Sequence, residues 1–372
     1  MSDQEYNEES DFIEQDDIAE EQLIHDLNIM SVDEEEGGDD DEPVYSIDIN
    51  PIDENIIVSG GGDDKSYLWR VDTGQQLFEL SGHTDSVTSV IFSTDGQYVA
   101  SGGMDGKVLV WQVGTGELVN SLEGPDEIMW LNWHPKGNIL LAGANDTTIW
   151  MWQIPKGTVM NVFAGHSSPV ATGQFTPDGK KIVTGSDDST LIVWDPKSAA
   201  AVLRISGEDA RFHNGAITSL RVNKDSSLVI TGSTDNSAKL LNINNGNILG
   251  SFENHTDSVE AVGFSNSLPL AATGSVDNSL NIWDLNTLRL RQTSHHQDAI
   301  TKLSWHDASS SSPHLITTSS VDHTVRVWDA RTGDCVRVFS GHQDSVLDVG
   351  VSRDGKTIIS GGDDGVCLVF KL

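Results

Sequence analysis

From Val44 onward the chain is written in short apolar stretches, with VTSVIF, YVAS, KVLVWQV and ELVNSL in one sector, separated by turn-forming groups such as TDG and GTG. Brief alternation rich in Val, Ile and aromatic side chains predicts strands, here Val87 to Phe92, Tyr98 to Ser101, Lys107 to Val113 and Glu117 to Leu122. The four-strand unit then recurs. Trp69, Trp111, Trp152, Trp194, Leu241, Trp283, Trp328 and Phe370 occupy one equivalent position, with steps of 42, 41, 42, 47, 42, 45 and 42 residues. An Asp stands six residues before each: Asp63, Asp105, Asp146, Asp188, Asp235, Asp277, Asp322 and Asp364. Four residues before that Asp is a small residue, Ser59, Ser101, Ala142, Thr184, Thr231, Thr273, Thr318 or Ser360. His83, His166, His213, His255 and His342 lie 22 residues before their Asp. His296 takes that place in the seventh unit once the HDASSSSPH loop is discounted, while the first and third units carry Asp41 and Gly124 there.

A period near 42 with a fixed His, hydroxyl, Asp and Trp is that of a WD40 blade. One four-stranded unit cannot close its own core, but units stacked radially bury their faces against neighbours and leave only short edges. The fold expected is all-β, an eight-bladed WD40 β-propeller over residues 43–372, and a disordered acidic tail is expected over 1–42. The His, hydroxyl, Asp and Trp should form a buried hydrogen-bonded chain tying the loops of each blade together.

Charge divides the molecule. Residues 1–42 hold nine Asp and ten Glu with no Lys or Arg, so 38 of the 57 acidic residues face 22 basic ones in the remainder. SVDEEEGGDDDE has too little apolar surface to offset its ordering entropy. Phe12, Ile13, Ile18, Leu23, Ile24, Leu27 and Met30 complicate that picture, since they could make a short docking helix, and a solubilising tail that merely carries some apolar residues stays open beside it. No stretch is long and apolar enough for a membrane helix, and the first residues lack the positive charge of a signal peptide. A cytoplasmic protein is expected, with a nuclear pool left open. Cys335 and Cys367 are too few for a disulfide framework and are read as buried thiols.

Ser101, His83 and Asp105 resemble a nucleophilic triad, yet the set recurs around the ring and includes an indole that no hydrolase needs. The runs Ser59-Gly60-Gly61-Gly62-Asp63 and Ser360-Gly361-Gly362-Asp363-Asp364 lack the Lys-Ser/Thr and helix of a phosphate loop and are read as turns. His295, His296 and His314 have no second ligand at zinc spacing. Neither an enzyme, a cofactor nor a metal site is expected.

Function should therefore lie on a surface. The loops bearing the His and the Asp share one face of the ring, the top, and that face reads as acidic. Asp85, Asp126, Asp257, Asp298 and Asp344 follow the His position by two residues, with Glu127 beside them. Glu260 points to the central mouth, Asp187 and Asp363 precede the motif Asp, and Met104, Met129, Val276 and Val321 interleave. Such a rim suits a Lys/Arg-rich peptide and repels nucleic-acid phosphates. Exposed ion pairs contribute about 0.2–1 kcal/mol each, and a micromolar complex needs roughly 8 kcal/mol. Apolar anchors must therefore supply much of the affinity. A monomer with neither direct nucleic-acid contact nor a membrane span is expected.

Across residues 44–372 the sequence resembles the angio-associated migratory cell protein family. GGGDDKSYLWRVDTGQQLFELSGHTDSVTSVIFS, WLNWHPKGNILLAGANDTTIWMWQIPKG and TVRVWDARTGDCVRVFSGH carry the likeness, together with the Trp-less AKLLNINNG and the closing GGDDGVCLVFKL. The resemblance implies a protein-binding propeller. In fungal members this is a dedicated chaperone of ribosome assembly that captures the basic N-terminal part of a large-subunit ribosomal protein on an acidic face. In animal members it implies a signalling or cytoskeletal scaffold linked to cell migration, and both readings stay open. One feature departs from the family: where relatives place an apolar strand and a His before the first unit, this chain has SVDEEEGGDDDE. Either Leu23 to Met30 closes the ring across an acidic linker, or the eighth blade stays three-stranded.

Overall fold

The computed structural model describes residues 28–30, 42–307 and 309–372, and these contain strands, turns and loops with no helix. They form eight four-stranded antiparallel sheets, the blades of a propeller. The second blade shows how the sequence builds each one. Its strands are Val87–Phe92, Tyr98–Gly103, Lys107–Gln112 and Leu118–Glu123, each within two residues of the pattern-based expectation. The second and third strands are buried on both faces between neighbouring blades, which is why they read as continuous apolar runs. The inner strand is half-buried, and the outer strand is mostly open to solvent.

The core is not central. Eight apolar clusters each lie between two consecutive blades: Leu280 and Ile282 of the sixth, for example, pack on Ile300, Ile316 and Trp328 of the seventh. Close approach of the blades explains the glycine after the motif's small residue. A Cβ on Gly60 would sit 2.6 Å from Val90 of the next blade, and one on Gly274 would sit 2.7 Å from Ile300. Those glycine runs are thus not wholly turns, since Gly60, Gly61, Gly361 and Gly362 lie in second strands and only the residues after them turn.

Ring closure joins the two ends of the chain. The eighth blade comprises Val346–Val351, Thr357–Gly362 and Cys367–Lys371, and its outer strand is Asn28–Met30. Asn28 pairs with Val369, Ile29 with Leu368 and Met30 with Cys367, all antiparallel. Of the two closures the sequence allowed, the structure has the one that borrows an N-terminal strand. A mixed cluster of Val44, Ile47 and Trp69 with Ile359, Cys367 and Val369 seals the first blade to the eighth. The Ile47 N–H also donates to Asp348 across this seam at 3.0 Å. The reading of 1–42 as a disordered tail otherwise lies outside the described residues. One thiol differs from expectation: Cys367 is buried, but Cys335 is exposed because it opens the outermost strand of the seventh blade.

Candidate protein-binding face

The top face is held by side chains that recur at fixed spacing. In the second blade His83 Nδ1 lies 2.9 Å from Asp105, His83 Nε2 lies 2.9 Å from Ser101 Oγ, and Trp111 Nε1 donates to the same oxygen at 3.2 Å. In the sixth, His255, Asp277, Thr273 and Trp283 repeat the chain, with 2.7 Å from His255 Nε2 to Thr273 and 2.9 Å from the indole. The motif Asp does more than hold the ring. Asp105 accepts the N–H of Thr84 in the loop entering the blade and of Lys107 beyond its own turn, so one carboxylate pins two loops together. Blades without the full set substitute locally. The first lacks His and uses the Tyr67 hydroxyl, 2.5 Å from Asp63. In the third, Thr148 donates to Asp146 while Trp150 donates to Thr148.

The electrostatics match a structural role. Burial pushes Asp105 up, yet the His83 ring and the N–H groups of Lys107 and Thr84 outweigh it and hold the carboxyl below its ordinary range. The same balance lowers Asp188, Asp277 and Asp364, and lowers Asp235 and Asp322 furthest. Burial lowers His166, His255 and His296 against the pull of their Asp partners, so these rings are neutral at pH 7. The Ser101 hydroxyl, which a triad would present to substrate, is 1% exposed and already accepts an indole N–H.

Above this layer the sequence-identified residues take three places. Asp85, Asp257, Asp298 and Asp344 are exposed in the loops entering blades two, six, seven and eight, each accepting the next residue's N–H at 2.7–2.8 Å. Asp126 and Glu127 are exposed in the corresponding loop of the third blade, where Glu127 accepts from Asn145. Met104, Asp187, Val276, Val321 and Asp363 precede the motif Asp, and the backbone N–H of each bonds the carbonyl of a residue in the entering loop, namely Ser86, Pro169, Ser258, Ala299 and Ser345. Those bonds bring the two groups of loops side by side. Met104, Asp187 and Val276 are exposed, and Val321 and Asp363 are half-buried. Asp187 is raised by burial and by the adjacent Asp188. Finally, Met129 and Glu260 line the central channel, together with Tyr45, which sequence reasoning missed.

Tyr45, Met129 and Glu260 reach the mouth because the inner strands of their blades slip register beside them, between Val44 and Ser46, Ile128 and Trp130, and Val259 and Ala261. A bulge re-aims the extra side chain. Below the mouth the channel, with a volume of 710 Å³, holds Asp48, Asp348, Arg221 and Lys302, none of which the sequence reading identified. Asp48 accepts the N–H of Phe92 at 2.8 Å and of Ile49 at 2.9 Å, but burial prevails and pushes it up to about 7. Burial also raises Asp348, against the opposing charges of Lys302 and Arg221. Arg221 is open to the channel space, so its lowering by burial is tempered by water there. The signal for all four was available, at alternate inner-strand positions counted beyond the bulge. Among the described residues no group of His, Cys, Asp and Glu could hold a metal ion, and no helix is long and apolar enough to cross a membrane.

Eight four-stranded blades, six of them tied by this His-centred chain, define a WD40 β-propeller. The WD domain, G-beta repeat model matches residues 74–112, 116–153, 157–195, 210–242, 246–284, 288–329 and 333–371. The first match starts ahead of the first blade's outer strand, Gln76–Ser81, so the three inner strands of that blade fall before it and seven matches accompany eight blades. The human angio-associated migratory cell protein is 36% identical over 358 residues, covering 90% of this chain and 81% of the human one. The chain belongs to the angio-associated migratory cell protein family. The ribosome assembly protein SQT1 of Saccharomyces cerevisiae is 27% identical over 357 residues, covering 85% of this chain and 81% of its own. Among solved structures, Chaetomium thermophilum Sqt1 bound to the N-terminus of the ribosomal protein L10 has a TM-score of 0.83 at 27% identity, covering 90% of this chain and 98% of that one.

Proposed function

We propose that this protein is a dedicated chaperone whose top face captures a Lys/Arg-rich segment of a large-subunit ribosomal protein during ribosome assembly, in the cytoplasm. The observation that carries the reading is the face itself. Seven exposed carboxylates, Asp85, Asp126, Glu127, Asp187, Asp257, Asp298 and Asp344, accompany a mouth where Tyr45 is 37% and Met129 41% exposed. Carboxylates steer and orient a basic chain, and the exposed apolar side chains provide the burial that holds it. The likeness to Sqt1, solved with the N-terminus of ribosomal protein L10, supports the same direction.

The test is capture from cell extract by the full chain, because residues 28–30 complete the eighth blade and a fragment starting at 44 would lack them. One basic large-subunit ribosomal protein should be retained at low salt and lost at high salt. Reversing Asp85, Glu127, Asp257, Glu260 and Asp344 to Lys should abolish its capture. Salt-resistant retention of signalling or cytoskeletal proteins, unchanged by the reversal, would replace the chaperone reading with the scaffold one.

A further inference from the structure

The circumference of the ring carries a second surface of opposite charge. The sixth blade ends in Arg289–His295 and the seventh in Cys335–Phe339, RLRQTSH and CVRVF. Arg289, Arg291 and Arg337 are exposed and form no direct ion pair among the described residues, although Asp284, opposite Arg289, is near enough for the Arg291 charge to help lower its carboxyl. The Arg on the fourth blade's outer strand, Arg204, instead lies 3.6 Å from Asp188. Between the unpaired cations stand apolar side chains: Leu290 is 38%, Val336 43% and Val338 53% exposed. The two strands belong to one surface, because Arg291 donates to the Arg331 carbonyl and Ser294 to the Gly333 carbonyl at the turn leading into Cys335–Phe339. Apolar residues set among unpaired Arg on an otherwise acidic molecule mark a binding surface for an acidic, apolar-studded segment.

Such a segment begins one strand away. Asn28 pairs with Val369, the neighbour of Phe370, whose ring stacks on Phe339 of the seventh blade's outer strand at 4.7 Å. Asn28, where the borrowed strand begins, therefore stands beside this surface. Residues 11–27, DFIEQDDIAEEQLIHDL, carry Asp11, Glu14, Asp16, Asp17, Glu20, Glu21 and Asp26 among Phe12, Ile13, Ile18, Leu23, Ile24 and Leu27, with no Lys or Arg. Seventeen residues reach about 56–61 Å when fully extended, ample to cross two neighbouring blades. We propose that residues 11–27 dock on the outer strands of the sixth and seventh blades, their carboxylates on Arg289, Arg291 and Arg337 and their apolar side chains on Leu290, Val336 and Val338. The docked segment would leave the top face free.

Cys335 supplies the probe, since it is exposed on this surface while Cys367 is buried. The full chain carrying Leu23→Cys is treated with a short bismaleimide, and the product is sized and mapped by mass spectrometry. A link within one chain from residue 23 to Cys335 is expected. Its yield should fall about ten-fold when Arg289, Arg291 and Arg337 become Glu, the sum of a few exposed ion pairs. It should fall likewise when Phe12, Ile13 and Ile18 become Ser, with the melting temperature unchanged in both variants. A yield indifferent to either change reveals mere tethering and overturns the proposal, as does the absence of product. A linked dimer that grows with concentration would assign the surface to a second copy instead.

Discussion

At the scale of single residues, much of the molecule could be read because its chemistry repeats. The His, hydroxyl, Asp and Trp stand at constant separations, and each contact they predict appears in the blades that have the full set. The residue after each motif Asp adds a rule that composition conceals. Asp64, Gly106, Thr147, Ser189, Asn236, Asn278, His323 and Gly365 all have positive φ, between 61° and 76°. Gly and Asn accept that region, but a β-branched side chain is strained in it. Thr147→Gly should therefore stabilise the protein by about 0.5–1 kcal/mol, strain relief of 1–2 kcal/mol less the entropy lost by glycine. Thermal unfolding measures it, and a lower melting temperature would refute the strain argument. Titration gives a second prediction. His166, His255 and His296 have depressed pKa values, so their contribution is present above the unfolded value near 6.5 and is lost as pH falls through the folded one. Asp48 runs the other way: raised from 3.8 to about 7, its contribution is full below 3.8 and lost as pH rises through 7. Asp48→Asn should thus melt higher relative to the native protein at pH 8 than at pH 5, by about 2–4 °C after allowance for channel water. A difference that does not change with pH would place that carboxyl in a solvated environment.

Elements were legible where pattern and burial coincide and obscure where they part. Second and third strands are buried on both faces, so their apolar runs announce them. Outer strands are less constrained: Cys335–Phe339 is open along nearly its whole length, and nothing in CVRVF told the exposed Cys335 from a buried thiol. Inner strands hid Asp48, Asp348, Arg221 and Lys302 because a bulge near the top breaks the simple alternation, and a count from the His register then assigns the next side chains to the wrong side. The eighth blade was the least legible of all. Three residues, Asn28–Met30, close it across a linker of unrelated composition, and so short a strand has no periodicity to detect. Its importance is testable through Cys367, which is buried and pairs with Met30. The native protein should react with a maleimide at one thiol, Cys335. Removal of residues 1–41 should make the second reactive within the same time and lower the melting temperature. If Cys367 stays protected in the truncated protein, the borrowed strand is dispensable to the blade.

For the whole molecule, charge couples stability to binding through the same variable with opposite signs. Beyond residue 42 the chain holds 38 acidic and 22 basic residues, and the tail before it adds 19 acidic ones with no base. A ring so charged repels itself, and counter-ions relieve the repulsion, so salt should stabilise the fold. The proposed complex with a basic segment draws on the very carboxylates responsible, and screening should weaken it. Raising sodium chloride from about 50 to 500 mM shortens the screening length from roughly 14 to 4 Å. The melting temperature should then rise by about 2–4 °C, while affinity for an Arg-rich peptide falls at least about ten-fold. Calorimetric melting and peptide titration on the same samples would read both. A fall in stability with salt would mean that exposed ion pairs such as Lys65 with Glu79 outweigh the net repulsion. Salt-independent peptide affinity would mean that Tyr45, Met129 and their neighbours hold the ligand, leaving the carboxylates to keep the propeller in solution.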